Sequence, residues 1–174
     1  NKITDEALSS SSVNPTQFAP ELLNQLVELT ANLSNAFTIA LYKINLSGKT
    51  LTLRHYISLS ANFNPETKIG FGKGLIGKVA KNKELLIEEN YKNRSISIDF
   101  YKTKENLKSY LITPVIHENL EGVLFIDSKE SYNFSTKQQK ILFGLANQMA
   151  WHLNHERIFP LTTMLNIQEK PRSQ

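Results

Sequence analysis

The sequence predicts an α+β domain in which an antiparallel sheet carries its helices on one face. Three observations support that prediction. Two pairs of apolar strand-like segments are each joined by a short turn, as in antiparallel hairpins. Amphipathic helices open and close the pattern, so helices and strands are segregated rather than alternating. Between the hairpins lie a short glycine-led helix and a long polar segment, without the buried parallel strands of a βαβ unit.

Residues 1–15 carry almost no apolar periodicity and read as a flexible lead-in, with Ser9 to Ser12 at their centre. Pro20 sits where a helix can begin, because its missing N–H is not needed there. Leu22, Leu26, Leu29 and Leu33 then form one apolar face, and Leu23, Val27 and Thr30 the adjacent one. Residues 38–44 read as a strand, and the turn 45–49 leads to a second over 50–60. In that second strand Leu51, Leu53, His55, Ile57 and Leu59 are expected on one face. Thr52, Arg54, Tyr56 and Ser58 are expected on the other. A short further strand is expected within 68–71, a helix over 74–82 and a brief strand over 84–87.

The segment 88–108 is long, polar and spotted with aromatics, and a connection of that length is usually functional. A strand over 109–116 carries Pro114, which donates no ladder bond and belongs at an edge or bulge. The turn 118–122 precedes a returning strand over 123–127. Ser135 and Gln138 have capping-box spacing, and Ile141, Leu142, Leu145, Ala146, Met149, Ala150 and Leu153 line the helix they open. That helix is expected to end or kink near Pro160. The domain therefore spans residues 16–159, and 160–174 read as a linker toward an output domain.

Four of the seven glycines fall between Gly70 and Gly77. Glycines there admit positive φ or close approach, and a helix that follows them points unpaired N–H groups and a positive dipole end outward. Gly72-x-Gly74-x-x-Gly77 fits a dinucleotide fingerprint by letter, with Asp99 about 20 residues on, but the flanking strands are wrong. Gly72-x4-Gly77-Lys78 approaches a P-loop, but Val79 stands where a hydroxyl must hold Mg²⁺. The anion-binding physics survives both exclusions.

With 174 residues and an apolar fraction of 40%, the chain can build one sizeable core. It has no cysteine, which excludes disulfides, thiolate metal sites and thioether-linked chromophores. No apolar run approaches the roughly 18 residues of a membrane span, and the composition suits the cytoplasm. A net charge of +4 is spread along the chain without a basic stripe, so nucleic acid is not expected as a partner. His152 and His155 lie three apart on the last helix, where solvent-facing imidazoles are expected, and no metal is expected. No nucleophile–base pair, metal triad or carboxylate dyad stands at readable spacing, so the chain is not expected to be an enzyme.

From Phe18 to Phe159 the residues resemble the GAF family of sensor domains. The resemblance rests on Gly72-Lys73-Gly74-Leu75-Ile76-Gly77-Lys78-Val79-Ala80, Leu111-Ile112-Thr113-Pro114-Val115-Ile116 and Glu121-Gly122-Val123-Leu124, followed by Phe134-Ser135 and Leu145-Ala146-Asn147-Gln148-Met149-Ala150. It implies a six-stranded antiparallel sheet with the terminal helices on one face and a small-molecule pocket on the other. It also implies a regulated output domain in cis and a homodimer through the terminal helices.

Among GAF ligands a cyclic nucleotide, cAMP above all, fits the residue types best, and no covalent cofactor is expected. By that resemblance the amides of Gly74, Leu75 and Ile76 would hold the phosphate. Asp99, Phe100, Tyr101 and Thr103 would supply contacts from the long segment, and Arg54 or Tyr56 would reach the base. The Asn-Lys…Phe-x3-Asp-Glu signature of many such domains is incomplete: Phe134 matches, but Asp127-Ser128 and Gln138-Gln139 replace the charged members. An unidentified small ligand, or a ligand-free dimerisation module, are the alternatives. The run Pro160-Leu161-Thr162-Thr163-Met164-Leu165-Asn166 resembles the opening of a GGDEF diguanylate cyclase. His155-Glu156-x-x-x-Pro160 resembles a histidine-kinase phosphoacceptor box.

Overall fold

The structure, a computed structural model, describes residues 15–91 and 97–168, with side chains described over 20–91 and 97–159. Residues 1–14 of the expected lead-in, and every side chain of the expected linker, therefore lie outside the described residues. The elements run α1 (Pro15–Ser34), β1 (Thr38–Ile44), β2 (Thr50–Ser58), β3 (Ile69–Gly70), α2 (Gly74–Asn82), β4 (Leu86–Glu88), β5 (Ser109–His117), β6 (Asn119–Ser128) and α3 (Thr136–Gln168). All six strands form one antiparallel sheet in the order β3-β2-β1-β6-β5-β4. The α+β prediction holds, and the dinucleotide and P-loop topologies are excluded.

Alternation along the central strands builds two cores. Ile39 and Leu41 of β1, Leu124 and Ile126 of β6, and Leu111 and Val115 of β5 face α1 and α3. Ala40 and Tyr42, Val123 and Phe125, and Tyr110 and Ile112 face α2 and the segment between β4 and β5. Both faces are covered, so β6 is buried along almost its whole length and reads as a continuous apolar run. Pro114 lies beyond the three residues of β5 that pair with β4, on a locally open edge beside a register shift at Val115/Ile116.

Several expectations need correction. The helix α1 begins at Pro15, not Pro20, and α3 continues past Pro160 to Gln168. The turn expected over 118–122 shrinks to Glu118, which takes a positive φ of 57°, and β6 begins at Asn119. Gly122 belongs to the strand instead: a Cβ there would overlap the carbonyl oxygen of Tyr42 on β1. The face assignment of β2 fails at Arg54. The register passes from Leu41↔His55 to Tyr42↔Leu53, so Arg54 is the extra residue of a bulge and the two halves of β2 are out of phase. Tyr56 thus shares its face with Leu53 and Leu51, while His55 shares the helical face with Ile57.

The capping box forms as expected. Ser135 N donates to Gln138 Oε1 at 2.9 Å, and Gln138 N donates back to Ser135 Oγ at 3.3 Å. His152 is buried rather than exposed, and burial lowers its pKa. Among the described residues its Nδ1 has no hydrogen-bond partner. His155 is exposed and stacks between Trp151 and Phe159. No described helix is long and apolar enough to cross a membrane.

Two charged pairs join α3 to the sheet. Arg54 of β2 donates through Nε and Nη2 to Glu156 at 2.9 and 2.6 Å. Glu121 of β6, only 2% exposed, accepts from Arg157 at 2.8 and 3.0 Å and from Asn154 at 2.8 Å. Removing Arg157 strands a buried carboxylate, a cost of about 3–5 kcal/mol for a wholly buried pair. Because the Arg157 side chain is one-third exposed, Arg157→Ala is expected to lower unfolding free energy by about 2 kcal/mol. Adding Glu121→Gln should recover much of that loss, and urea denaturation of the three variants checks both.

Candidate functional site

The face of the sheet opposite α1 and α3 is closed by α2 at one end and by residues 97–108 across the middle. The start of α2 has no side-chain cap: Lys73 occupies the N-cap position in extended conformation and makes no capping bond. Gly74 follows with φ of 56°, a left-handed value that disfavours side chains. Among the described residues no hydrogen bond from another segment reaches the amides of Leu75 or Ile76. Their side chains pack inward, Ile76 fully buried and Leu75 partly so.

The described residues of the segment between β4 and β5 are fastened at several points. Tyr91 N donates to Lys108 O at 2.7 Å, which closes its base. Asn64 N donates to Phe100 O at 2.8 Å and Lys102 N to Asn62 O at 2.9 Å, with an isolated bridge between Phe63 and Tyr101. Glu105 accepts from Ser60 Oγ, from Asn62 at 2.9 Å and from Lys129 at 2.8 Å. Burial pushes the Glu105 carboxyl upward, but these three donors outweigh it and hold the group below the usual carboxylate range.

Phe100 is 0% exposed and sits among Phe63, Tyr101 and Phe125, with ring centroids 4.7–4.9 Å away. It fills the space between the segment and the sheet, and burial of that size contributes about 2–3 kcal/mol.

Tyr101 makes the deepest contact. Its hydroxyl donates to Asp127 Oδ2 at 2.6 Å and lies 2.7 Å from Thr38 Oγ1, which is itself 2.7 Å from Ser58 Oγ. The second oxygen of Asp127 accepts from Thr38 N at 2.8 Å. Asp127 is 0% exposed; burial pushes its pKa up to about 7 against the opposing pull of the Tyr101 and Thr38 bonds. Burial and the neighbouring Asp127 charge raise the Tyr101 phenol well above its ordinary value.

Of the nine residues expected at the site, the structure brings most to this face but not to one point. Tyr101 and Thr103, with Tyr91, Ile98, Leu107 and Tyr110, line a cavity of about 240 Å³ beneath the segment. Asp99 turns instead toward α2, where a Cβ on Gly74 would fall onto its carboxylate. Tyr56 stacks on Phe63 at 4.5 Å on the same face. Arg54 does not join them: it stays on the helical face with Thr52, where Glu156 holds it, and the bulge between Arg54 and Tyr56 puts Tyr56 on the other face. Sequence reasoning missed Tyr42, Tyr110 and Asp127. The first two stand on apolar strands and read as core. Asp127 had one signal: an acid ending the apolar run from Val123 to Ile126. Among the described residues no group of three or more potential ligands could hold a metal ion.

This arrangement matches a known family. The model of the GAF domain family matches residues 12–154. The chain belongs to the GAF family. Similar folds include the GAF domain of a phosphoenolpyruvate-protein phosphotransferase from Acinetobacter, at 21% identity and TM-score 0.68, covering 86% of each chain. A type II free methionine-R-sulfoxide reductase from Thermoplasma acidophilum has 19% identity and TM-score 0.66, covering 80% of this chain and 94% of that one. A GAF domain/HD domain protein from Geobacter sulfurreducens has 18% identity and TM-score 0.67, with coverage of 80% and 94%. At these identities the likeness is one of fold. No match was found among curated proteins.

The buried acid of this GAF domain makes a pH dependence predictable. Asp127 binds its proton more tightly folded than unfolded, so its ionisation cost is full above pH 7 and is relieved as pH falls through 7 toward 4. Wild-type protein is expected to gain roughly 2.7 kcal/mol from this group between pH 8 and pH 5, nearly all of it below pH 7 at about 1.4 kcal/mol per unit. Asp127→Asn should flatten that part of the profile, as read by urea denaturation across the range.

Proposed function

We propose that this GAF domain is a cytoplasmic regulatory sensor whose ligand lies between the sheet, the start of α2 and residues 97–108. The reading rests on one observation above the others: a tyrosine-walled cavity lies under a segment that also reaches the uncapped end of α2. Aromatic walls suit a planar base, and a helix N-terminus suits a phosphate, which makes a cyclic nucleotide the preferred ligand class and cAMP the first candidate. At about 240 Å³ the cavity is smaller than the usual range of about 300–1,000 Å³ for small-molecule sites, so a nucleotide enters only with the segment displaced.

The proposed output is a diguanylate cyclase in cis, on the strength of the Pro160 to Asn166 resemblance. A histidine kinase is the other candidate. Regulatory use agrees with the phosphotransferase and HD-domain settings of the similar folds. Sulfoxide reduction by a thiol does not suit a chain without cysteine.

A second reading has its own support. Leu22, Leu29 and Leu33 form an exposed stripe on α1, and Trp151, Ile158 and Phe159 are exposed on α3. With Phe100 filling the ligand face, the domain would then act as a dimerisation module through its terminal helices.

Titration calorimetry with cAMP and cGMP separates the readings. The sensor reading expects saturable heat and stabilisation of about 2.7 kcal/mol at a hundredfold excess over Kd. No heat at millimolar nucleotide, together with a dimer that Leu29→Glu/Leu33→Glu dissolves in light scattering, would leave the dimerisation module standing.

A further inference from the structure

We propose that the tyrosine-walled cavity binds a small betaine-type zwitterion, with its alkylated ammonium head among Tyr91, Tyr101 and Tyr110 and its carboxylate at Lys104. The proposal rests on the sensor reading for the location of the ligand. It concerns what the cavity holds with the segment in place, without the displacement that a nucleotide needs.

The shape of the cavity comes first. Ile98, Leu107 and Tyr110 are buried and form its floor, while Lys102, Thr103 and Lys104 are exposed and form its rim. Tyr91 and Tyr110 meet at 61° with ring centroids 6.1 Å apart, so they make a corner rather than a flat wall. Tyr101 supplies a third side, and its hydroxyl is held by Asp127. A corner of rings around about 240 Å³ suits a compact, rounded group better than a flat base. A cation among aromatic rings is attracted by their faces, and alkylated ammonium groups are the ligands such cages take.

Charge points the same way. Glu88 pairs with Tyr110 across β4 and β5, which sets its side chain on the cavity's side of the sheet. It is half-buried and has no ion-pair partner among the described residues. After burial, the Glu88 charge is what raises the Tyr110 phenol most. Glu105 belongs to the wall itself, but its oxygens already accept from Ser60, Asn62 and Lys129. The N–H groups of a primary ammonium would therefore find few free acceptors. An alkylated ammonium has no N–H to strand.

The rim adds the second half of the ligand. An outer recess of about 340 Å³ shares Tyr91, Lys104, Glu105 and Leu107 with the cavity, so the two spaces are contiguous. Lys104 stands where they meet, and among the described residues neither it nor Lys102 has an ion-pair partner. A plain cation would be repelled by these lysines at the entrance. A carboxylate on a short arm from the head turns that repulsion into attraction.

Titration calorimetry with glycine betaine tests this, with tert-butylacetate, glycine and choline as comparison ligands. The first of these has the shape and carboxylate of glycine betaine without its positive charge, and is expected to bind at least about tenfold more weakly. Glycine, which lacks the methyl groups, should give no saturable heat. Choline keeps the head and lacks the carboxylate, so it should bind several-fold more weakly than glycine betaine. Lys104→Ala should cost glycine betaine a similar factor and leave choline unchanged or tighter. Tyr110→Leu should remove about tenfold of the affinity, whereas Tyr110→Phe keeps it. Tyr91→Leu, at a half-buried position, reads the same loss should Tyr110→Leu fold poorly.

No saturable heat with glycine betaine at high-millimolar concentration, or equal affinity for tert-butylacetate, would overturn the proposal. So would folded Tyr91→Leu and Tyr110→Leu proteins that bind glycine betaine as the wild type does. Choline at equal affinity would overturn the role of Lys104. Glycine betaine binding without any response to cAMP or cGMP would end the nucleotide reading and keep the cage. Nucleotide binding without any response to glycine betaine would keep the sensor and end the cage.

Discussion

The ligand face of this domain depends on one buried hydrogen bond, from the Tyr101 hydroxyl to Asp127. It links the middle of a long irregular segment to the second strand of the sheet's centre, where the Asp127 carboxylate is shut off from solvent. Everything that shapes the face follows from where that bond puts the backbone. Phe100 and Ile98 are turned in to seal the core, Asp99 is turned along the surface to α2, and Thr103 is left at the cavity. An acid buried this completely is expensive when ionised, so the same contact that orders the segment makes its order dependent on protonation. That coupling between order and charge is a physical property of the domain, independent of any ligand.

The fold was legible because its signals are redundant. Residues 38–44 and 74–82 appear in the structure with the boundaries expected from apolar pattern and glycine punctuation. The strand order, by contrast, is not legible in the sequence: no local pattern dictates that β1 pairs with β6. The errors share one cause: a contact between distant segments overrode a local rule. Gly122 looks like a turn residue and is a strand residue because the Tyr42 carbonyl needs the room. Arg54 and Tyr56 look like neighbours on one polar face, and a one-residue bulge between them sends them to opposite faces. His152 looked exposed and is buried against the sheet side of α3.

The site was harder to read than the fold, for a related reason. Asp99, Tyr101 and Thr103 could be named because a long polar segment is unusual inside a compact domain. Their division of labour could not, because alternate residues of one irregular stretch point to α2, to Asp127 and to the cavity without any period to reveal it. Tyr42 was invisible for the opposite reason: it sits in a perfectly regular strand, where an aromatic residue reads as packing.

The two charged pairs on α3 have a geometric consequence. Glu156 and Arg157 are neighbours in sequence, so their side chains leave the helix about 100° apart. They reach strands on opposite flanks of β1, Glu156 to Arg54 on β2 and Arg157 to Glu121 on β6. Rolling the helix either way must lengthen at least one pair, whereas a shift along the axis or a bend beyond residue 157 strains them less. The sheet therefore holds α3 like a shaft keyed on two sides: motion passed along this helix would be axial thrust or bending, with torsion locked out.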